Sequence, residues 1–279
     1  DFMSTIDKEY KTASGKVINK PINIEILQIR YRVTKAKVED CNFNFLEAAR
    51  QYYELSNYGS NTTGGSSSSS SSSNAGGSNL IPANEKLELL GTSITCAVLG
   101  QAGPKRSRLL GNIYKDERIK NDSLSSLSSY TSHSSVITKM YTNKILLYSD
   151  LNKFEKILKT HQKKLSDDNK NTILQKAIIE HNMQATGIIY DNIHFSQLAA
   201  ILFPDKVAAG GSNNNNDEYK RNLESAIIES EKVAAKMIGE NRLNGTIDQT
   251  ENVLIFNETS SNSNNINAAA NNIIENLQE

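Results

Sequence analysis

The stretch QKAIIEHNMQATGIIYDNIHFSQLAAILF, residues 175–203, decides the fold. The pattern changes from Thr172: Leu174, Ala177, Ile178, Ala185, Ile188 and Ile189 recur at helical spacing, giving one apolar face of a long helix that stops near Tyr190 and Asp191. Asn192, Ile193, His194 and Phe195 then alternate as a short edge strand does. Ser196 is placed to cap a second helix running to Phe203, with Leu198, Ala199 and Leu202 turned inward. Downstream, Val233, Ala234, Met237 and Ile238 mark a third helix that ends before Asn244 and Gly245. Residues 246–249 and 253–256 read as two strands joined by a turn at Thr250, Glu251 and Asn252.

Helix, strand, helix, helix, strand, turn, strand is the order of a winged-helix domain. A sheet of three short strands cannot stand alone and needs those helices against one face, so residues 171–258 are expected to fold as one unit, with an insertion at 205–217.

Upstream, the apolar period stays near 3.6. Ile22, Ile26, Ile29, Val33 and Ala36 form one stripe, and Leu46, Ala49, Tyr52 and Tyr53 begin another. Leu87, Leu90, Ile94 and Val98 repeat the pattern in residues 84–99. Gly103 and Pro104 break it, and Pro104 suits the first turn of the helix that carries Leu110 to Tyr114. Residues 136–147 and 151–158 make a further pair, with Asp150 as the N-cap of the second. Residues 1–170 are therefore expected to be an α-solenoid of TPR-like helix pairs. An irregular helical bundle is the alternative, because no strict repeat period is present. Three Ser-, Gly- or Asn-rich tracts, at 59–79, 121–135 and 210–217, bury too little apolar surface to offset ordering and read as flexible loop insertions.

The charges cancel, with 31 Lys or Arg against 31 Asp or Glu, so there is no general pull toward nucleic acid or an anionic membrane. No apolar run approaches the roughly 18 residues of a membrane span, and no basic-then-apolar signal opens the chain. The expectation is a soluble intracellular protein, and one that begins partway through a longer product, since Asp1 stands first. Cys41 and Cys96 lie in apolar helical patterns and are expected as buried free thiols, with a disulfide or a reactive nucleophile as the alternatives.

Nothing in the motifs supports catalysis, a metal or a cofactor. His133, His161, His181 and His194 are scattered without metal-ligand spacing. His181 beside Glu180 suggests acid–base work, but a histidine on a helix face is more often structural or solvated. Residues 100–108, GQAGPKRSR, only loosely resemble a phosphate loop, lacking its G-K-[ST] ending and a preceding strand. Arg106, Arg108, Lys115, Asp116, Glu117 and Arg118 read instead as a solvated or partner-facing charged surface. Nucleic-acid recognition is the rival reading of a winged helix. In residues 229–242, however, Glu229, Glu231 and Glu240 offset Lys232, Lys236 and Arg242, which makes a poor phosphate-binding face.

Two long stretches, KAIIEHNMQATGIIYDNIHFSQLAAIL and EKVAAKMIGENRLNGTIDQTENVLIF, resemble the PCI-domain family in the form found in subunit four of the COP-nine signalosome. EAARQYYELS at 47–56, QAGPKRSRLLGNIYKDER at 101–118 and VITKMYTNKIL at 136–146 are similar to that family's helical repeats. The likeness implies a noncatalytic scaffold subunit in cytoplasm and nucleus. Its partners would be the other signalosome subunits, including the metalloprotease subunit, and the cullin-RING ubiquitin ligases from which the complex removes a ubiquitin-like modifier. The homologous subunit of the proteasome lid shares the architecture and is the alternative.

By the same resemblance, the winged-helix strands line up edge to edge between subunits, which puts Thr246, Ile247, Val253 and Ile255 among the partner-binding residues. Val253 to Phe256 are apolar on both faces, as burial against a neighbour or against the domain's own helices demands. In residues 259–279, a linker leads to Ile266, Ile273, Ile274 and Leu277 at helical spacing, an amphipathic C-terminal helix expected to join a bundle of subunit tails. A frayed tail is the alternative.

Overall fold

The structure, a computed structural model, describes residues 22–59, 80–121, 130, 132–165, 171–208 and 216–257. The helical arm runs α1 (Ile22–Cys41), α2 (Phe45–Ser56), α3 (Ala83–Leu99), α4 (Pro104–Tyr114), α5 (Glu117–Lys120), α6 (His133–Tyr141) and α7 (Tyr148–Ile157), then a 3₁₀ turn (Thr160–Lys163). The winged-helix unit follows as α8 (Ile173–Ile189), β1 (Asn192–His194), α9 (Phe195–Leu202), α10 (Pro204–Ala208), α11 (Asn216–Gly239), β2 (Gly245–Asp248) and β3 (Val253–Phe256). This is the expected α-solenoid followed by a winged helix.

Helix α2 packs against both α1 and α3. Ala48, Ala49, Tyr52 and Leu55 are buried from its side, and Leu90, Ile94, Ala97 and Val98 from that of α3. The small residues let the backbones approach, and Ser93 Oγ donates to the Ala49 carbonyl at 2.7 Å across the crossing. Tyr53 on α2 donates to the Asn112 carbonyl of α4. Pro104 stands in the first turn of α4, where its missing N–H costs no helical bond.

A buried carboxylate closes the far side of the arm. Asp40 of α1 accepts from Gln162 Nε2 at 2.8 Å and pairs with Lys159 Nζ at 3.1 Å, while His161 Nε2 lies 3.1 Å away. Burial alone would raise its pKa, but the contacts from Gln162, His161 and Lys159 outweigh that and hold it below the ordinary value. The Cys96 thiol donates to the same carboxylate at 3.7 Å. Burial pushes that thiol well above its usual pKa, so it stays protonated and unreactive. Both cysteines are free; Cys96 is buried as expected, whereas Cys41, in the last turn of α1, is exposed.

Several boundaries depart from the sequence reading. Helix α6 stops at Tyr141 and not at Leu147, because Asn143 adopts a left-handed φ of 52° and Lys144 N–H returns to the Lys139 carbonyl at 2.9 Å. Helix α7 already starts at Tyr148, so Asp150 lies inside it and does not cap it. Helix α9 begins at Phe195, which places Ser196 within its first turn. Ile188 and Ile189, expected on the inward face of α8, are 49% and 59% exposed, and Ile179 and Met183 are buried instead. The 205–217 insertion contains α10 and the first residues of α11. The tract at 121–135 supplies Tyr130 and His133 to the core, so it is not simply a flexible insertion.

His133 is enclosed by the rings of Tyr130 and Phe154, at centroid distances of 4.9 and 4.8 Å. Its Nε2 lies 2.8 Å from Thr95 Oγ1, which itself donates to the Gly91 carbonyl. Burial lowers the imidazole pKa from 6.5 to about 4. The folded protein therefore holds it neutral while the unfolded chain takes up a proton, so the stability it confers is present above pH 6.5 and lost as pH falls toward 4. Urea denaturation across that window should show wild type losing about 1.4 kcal/mol more per pH unit than a His133→Gln variant. Parallel pH profiles would refute the burial account.

Candidate functional site

The sheet order is β1-β3-β2, antiparallel throughout. Asn192, Ile255 and Thr246 stand side by side across it, as do His194, Val253 and Asp248 on the same face. Ile193, Leu254 and Ile247 form the row on the opposite face, where Ile193 and Leu254 are buried in the core and Ile247 packs against it. Phe256 lies on α8 where Gly187 leaves room: a Cβ there would fall 2.6 Å from the Phe256 ring. Asp248 Oδ1 shapes the hairpin by accepting from Thr250 N–H at 2.9 Å and Thr250 Oγ1 at 2.6 Å, and Asn252 supplies the left-handed residue with φ of 54°.

The pairing also fixes which backbone groups are spent. Phe256 N–H donates to the Asp191 carbonyl and Asn257 N–H to the Asn244 carbonyl, so successive residues of β3 bond alternately to β1 and β2. Residues 244, 246 and 248 therefore face β3, and the N–H and C=O groups of Gly245 and Ile247 face away along the outer edge of β2. Beside that edge a groove of about 530 Å³ runs between Glu231 and Ala235 of α11 and Thr246, Asp248 and Ile255 of the sheet.

Of the strand residues expected to bind partners, Thr246, Val253 and Ile255 share the outer face, and Ile255 is 40% exposed. Ile247 belongs to the inner face, although its backbone serves the free edge. The two-faced apolar character of β3 follows from its central place, with Leu254 and Phe256 buried on one side. Ile266, Ile273, Ile274 and Leu277 lie outside the described residues.

The wing is anchored to the arm by polar contacts that the sequence does not announce. Glu180, on α8 and 3% exposed, accepts from Arg242 Nη1 at 2.7 Å, from Arg242 Nη2 at 3.2 Å and from the Ala102 N–H at 3.0 Å. Arg242 also donates to the Ala102 carbonyl at 3.1 Å, so one ion pair grips the α3–α4 loop from both sides. Asn182 brackets Leu146, accepting from its N–H and donating to its carbonyl, both at 2.9 Å. His181 Nε2 donates to the Lys144 carbonyl at 2.9 Å. Burial, assisted by the Arg106 charge, lowers its pKa to about 4 and keeps it neutral, a structural role in place of acid–base work.

Of the charged surface expected near residue 106, Arg108, Lys115 and Glu117 are exposed, Asp116 and Arg118 are half-buried, and Arg106 is internal. Arg106 is 1% exposed and donates to the Gly100 and Ala177 carbonyls at 3.2 and 3.5 Å; burial pushes its guanidinium down to about 10. Arg118 is forked onto Asp116 at 2.9 and 2.6 Å and reaches the Ser56 carbonyl at 3.0 Å, tying α5 to the end of α2. The only sequence signal for the Glu180–Arg242 pair was a charge inside an otherwise apolar helix stripe. Among the described residues no cluster of His, Cys, Asp and Glu is arranged to hold a metal ion, and no helix is long and apolar enough to cross a membrane.

Residues 155–258 match the family model of the PCI domain, so the chain carries a PCI domain on the winged-helix unit just described. The particular likeness is to subunit 4 of the COP9 signalosome, and it extends over most of the chain. Identity is 33% to the Arabidopsis thaliana protein over 84% of this chain and 48% of that one. It is 31% to the Drosophila melanogaster protein over 87% and 47%, and 33% to that of Caenorhabditis elegans over 84% and 44%. The chain thus spans about half the length of the curated relatives it matches.

Removing one member of a buried pair strands the other charge. Arg242→Ala should therefore cost about 3–5 kcal/mol by chemical denaturation, whereas a joint Arg242→Met, Glu180→Leu replacement should recover most of that loss. A cost for Arg242→Ala below about 1 kcal/mol, the usual value of a surface pair, would show that the anchor is not needed.

Proposed function

We propose that the chain is a noncatalytic scaffold subunit of the COP9 signalosome that supports deneddylation of cullin-RING ubiquitin ligases through protein–protein contacts. The observation that carries this reading is the outer edge of β2, where the backbone groups of half-buried Ile247 point away from the sheet beside the exposed Thr246 and Ile255, while Gly245 is buried. A strand of a neighbouring subunit added there would satisfy those groups and cover the apolar face, with Val253 beside it. Residues Ile266, Ile273, Ile274 and Leu277 would supply the second contact, as an amphipathic helix in a bundle of subunit tails. The arm, held by Glu180 and Arg242, would set the angle at which the assembly presents itself to the ligase.

The likeness to subunit 4 over 84–87% of the chain supports membership of the complex, and the organisation into an arm of residues 1–170 and a winged-helix unit of 171–258 fits that role. The same reading places the protein in cytoplasm and nucleus, with the metalloprotease subunit among its neighbours. It assigns the wing to proteins and not to nucleic acid. On α11, Glu229 is engaged by Lys206 and Asn171, and Glu231 by Gln249, so acidic groups stand where a DNA reader needs free cations.

Affinity purification of the tagged chain from its own cells should bring down the other signalosome subunits. A Thr246→Glu, Ile255→Glu variant should lose them at unchanged thermal stability, because both side chains lie on the exposed face. Purification without any signalosome subunit would end the proposal.

A further inference from the structure

Remote from the sheet edge, a trough of about 690 Å³ lies between the α1–α2 loop, the start of α4 and the N-terminal half of α8. Its apolar lining comes from Phe43, Leu46, Leu165 and Ile173. Phe43 and Leu165 are 44% and 56% exposed and stand together on its rim. Leu46 reaches the floor because Gly100 has no Cβ; an added one would fall 2.4 Å from Leu46 Cδ2.

The conformation of Phe43 is the strongest sign that this surface is made for something. Asn44 N–H returns to the Glu39 carbonyl and Phe43 N–H to that of Asp40, so α1 ends in a motif whose left-handed position belongs to Gly or Asn. Phe43 occupies it with φ of 62°. The other non-glycine residues with positive φ among those described, Asn143, Asn241 and Asn252, are all asparagine. A bulky side chain in that region is strained and persists only where its surroundings hold it. Here the ring stands edge-on to Phe45, with centroids 5.9 Å apart, and carries the Lys164 ammonium 5.7 Å from its own centroid.

The lining carries two lysines and two glutamates, and of these only the glutamates are engaged within the described residues. Lys105 and Lys176 line it and Lys164 stands at Phe43; among the described residues neither the Lys105 nor the Lys176 ammonium has an ion-pair partner. The two acids in the lining are already engaged, Glu47 by Arg50 and Gln51 and Glu180 by Arg242. What remains among the described residues is an apolar floor beside the Lys105 and Lys176 ammonium groups, with Lys164 held over the Phe43 ring.

We propose that this trough is a docking site for an acidic segment of a partner protein, an extended peptide that sets a Leu- or Phe-like side chain against Phe43 and Leu165 and its carboxylates against Lys105, Lys164 and Lys176. A trough whose rim residues Phe43 and Leu165 are exposed suits a chain lying along it better than an engulfed small ligand. The surface is separate from the sheet edge, and the inference stands without the signalosome assignment.

Fluorescence anisotropy on the full chain, with a labelled peptide in which a Leu-Phe pair is flanked by aspartates and glutamates, should show saturable binding that weakens as salt is raised. Lys105→Glu with Lys176→Glu should lower the affinity about tenfold or more. Phe43→Asn is the decisive variant, because it relieves the backbone while removing the ring: it should raise the denaturation midpoint and weaken peptide binding at once. Three results would each overturn the proposal: no saturable binding, equal affinity for a peptide with lysines in place of the acids, or a Phe43→Asn variant that binds as wild type does. Binding to phosphatidylserine vesicles but not to the peptide would also overturn it, identifying a lipid surface instead.

Discussion

A carboxylate buried in the middle of an apolar helix constrains everything around it. Glu180 sits on α8 between Leu174 and Ile178, which belong to the core of the arm, and Met183, which belongs to the core of the winged-helix unit. Leaving that charge unpaired out of water costs several kcal/mol, so α8 can be buried on both sides only if donors arrive from both sides. Arg242 comes from the segment before the hairpin and the Ala102 N–H from the loop between α3 and α4. Satisfying one residue therefore sets the arm, the helix and the wing in a single arrangement.

The neighbours of Glu180 extend the same logic through neutral groups. Asn182 gives the Leu146 backbone both bonds a strand partner would give, and His181 takes the Lys144 carbonyl, so the irregular link between α6 and α7 is held without regular structure. Three consecutive polar positions on α8, 180 to 182, are all buried and all face the arm through hydrogen bonds. A polar junction of this kind tolerates no sliding, since any shift breaks several bonds at once. The sheet edge is thereby presented at a fixed angle to the helical arm.

Periodicity made the helices and their order legible, because burial of a stripe at Ala49, Tyr52 and Leu55 or at Leu90, Ile94 and Val98 is a local consequence of the sequence. The Asn244-Gly245 pair and the turn before Val253 located the hairpin for the same local reason. What stayed hidden depends on residues far apart in the chain. Arg106 looked like a surface cation until the Gly100 and Ala177 carbonyls closed over it, and Arg118 until Asn57 and Ser56 met it from α2. Ile188 and Ile189 continue the apolar spacing of α8, yet the helix outruns its core there and they emerge into solvent. The tract at 121–135 reads as low complexity, but composition averaged over a tract conceals a His133 that one aromatic cage requires. The central place of β3 in the sheet, which leaves β2 and not β3 with the open edge, is a matter of topology that strand sequences alone do not encode.

Local consistency also sharpens what an exception means. Wherever the described backbone turns through a left-handed residue that is not glycine, the chain supplies asparagine, at 143, 241 and 252, and each of those turns ends a helix or closes the hairpin. The end of α1 needs the same turn and receives Phe43. Stability alone favours asparagine at such a site, since a phenylalanine there carries both the strain and an exposed ring. A sequence that follows its own turn chemistry at three positions and breaks it at a fourth, at the rim of an apolar trough, keeps the ring for contact, as the docking proposal requires.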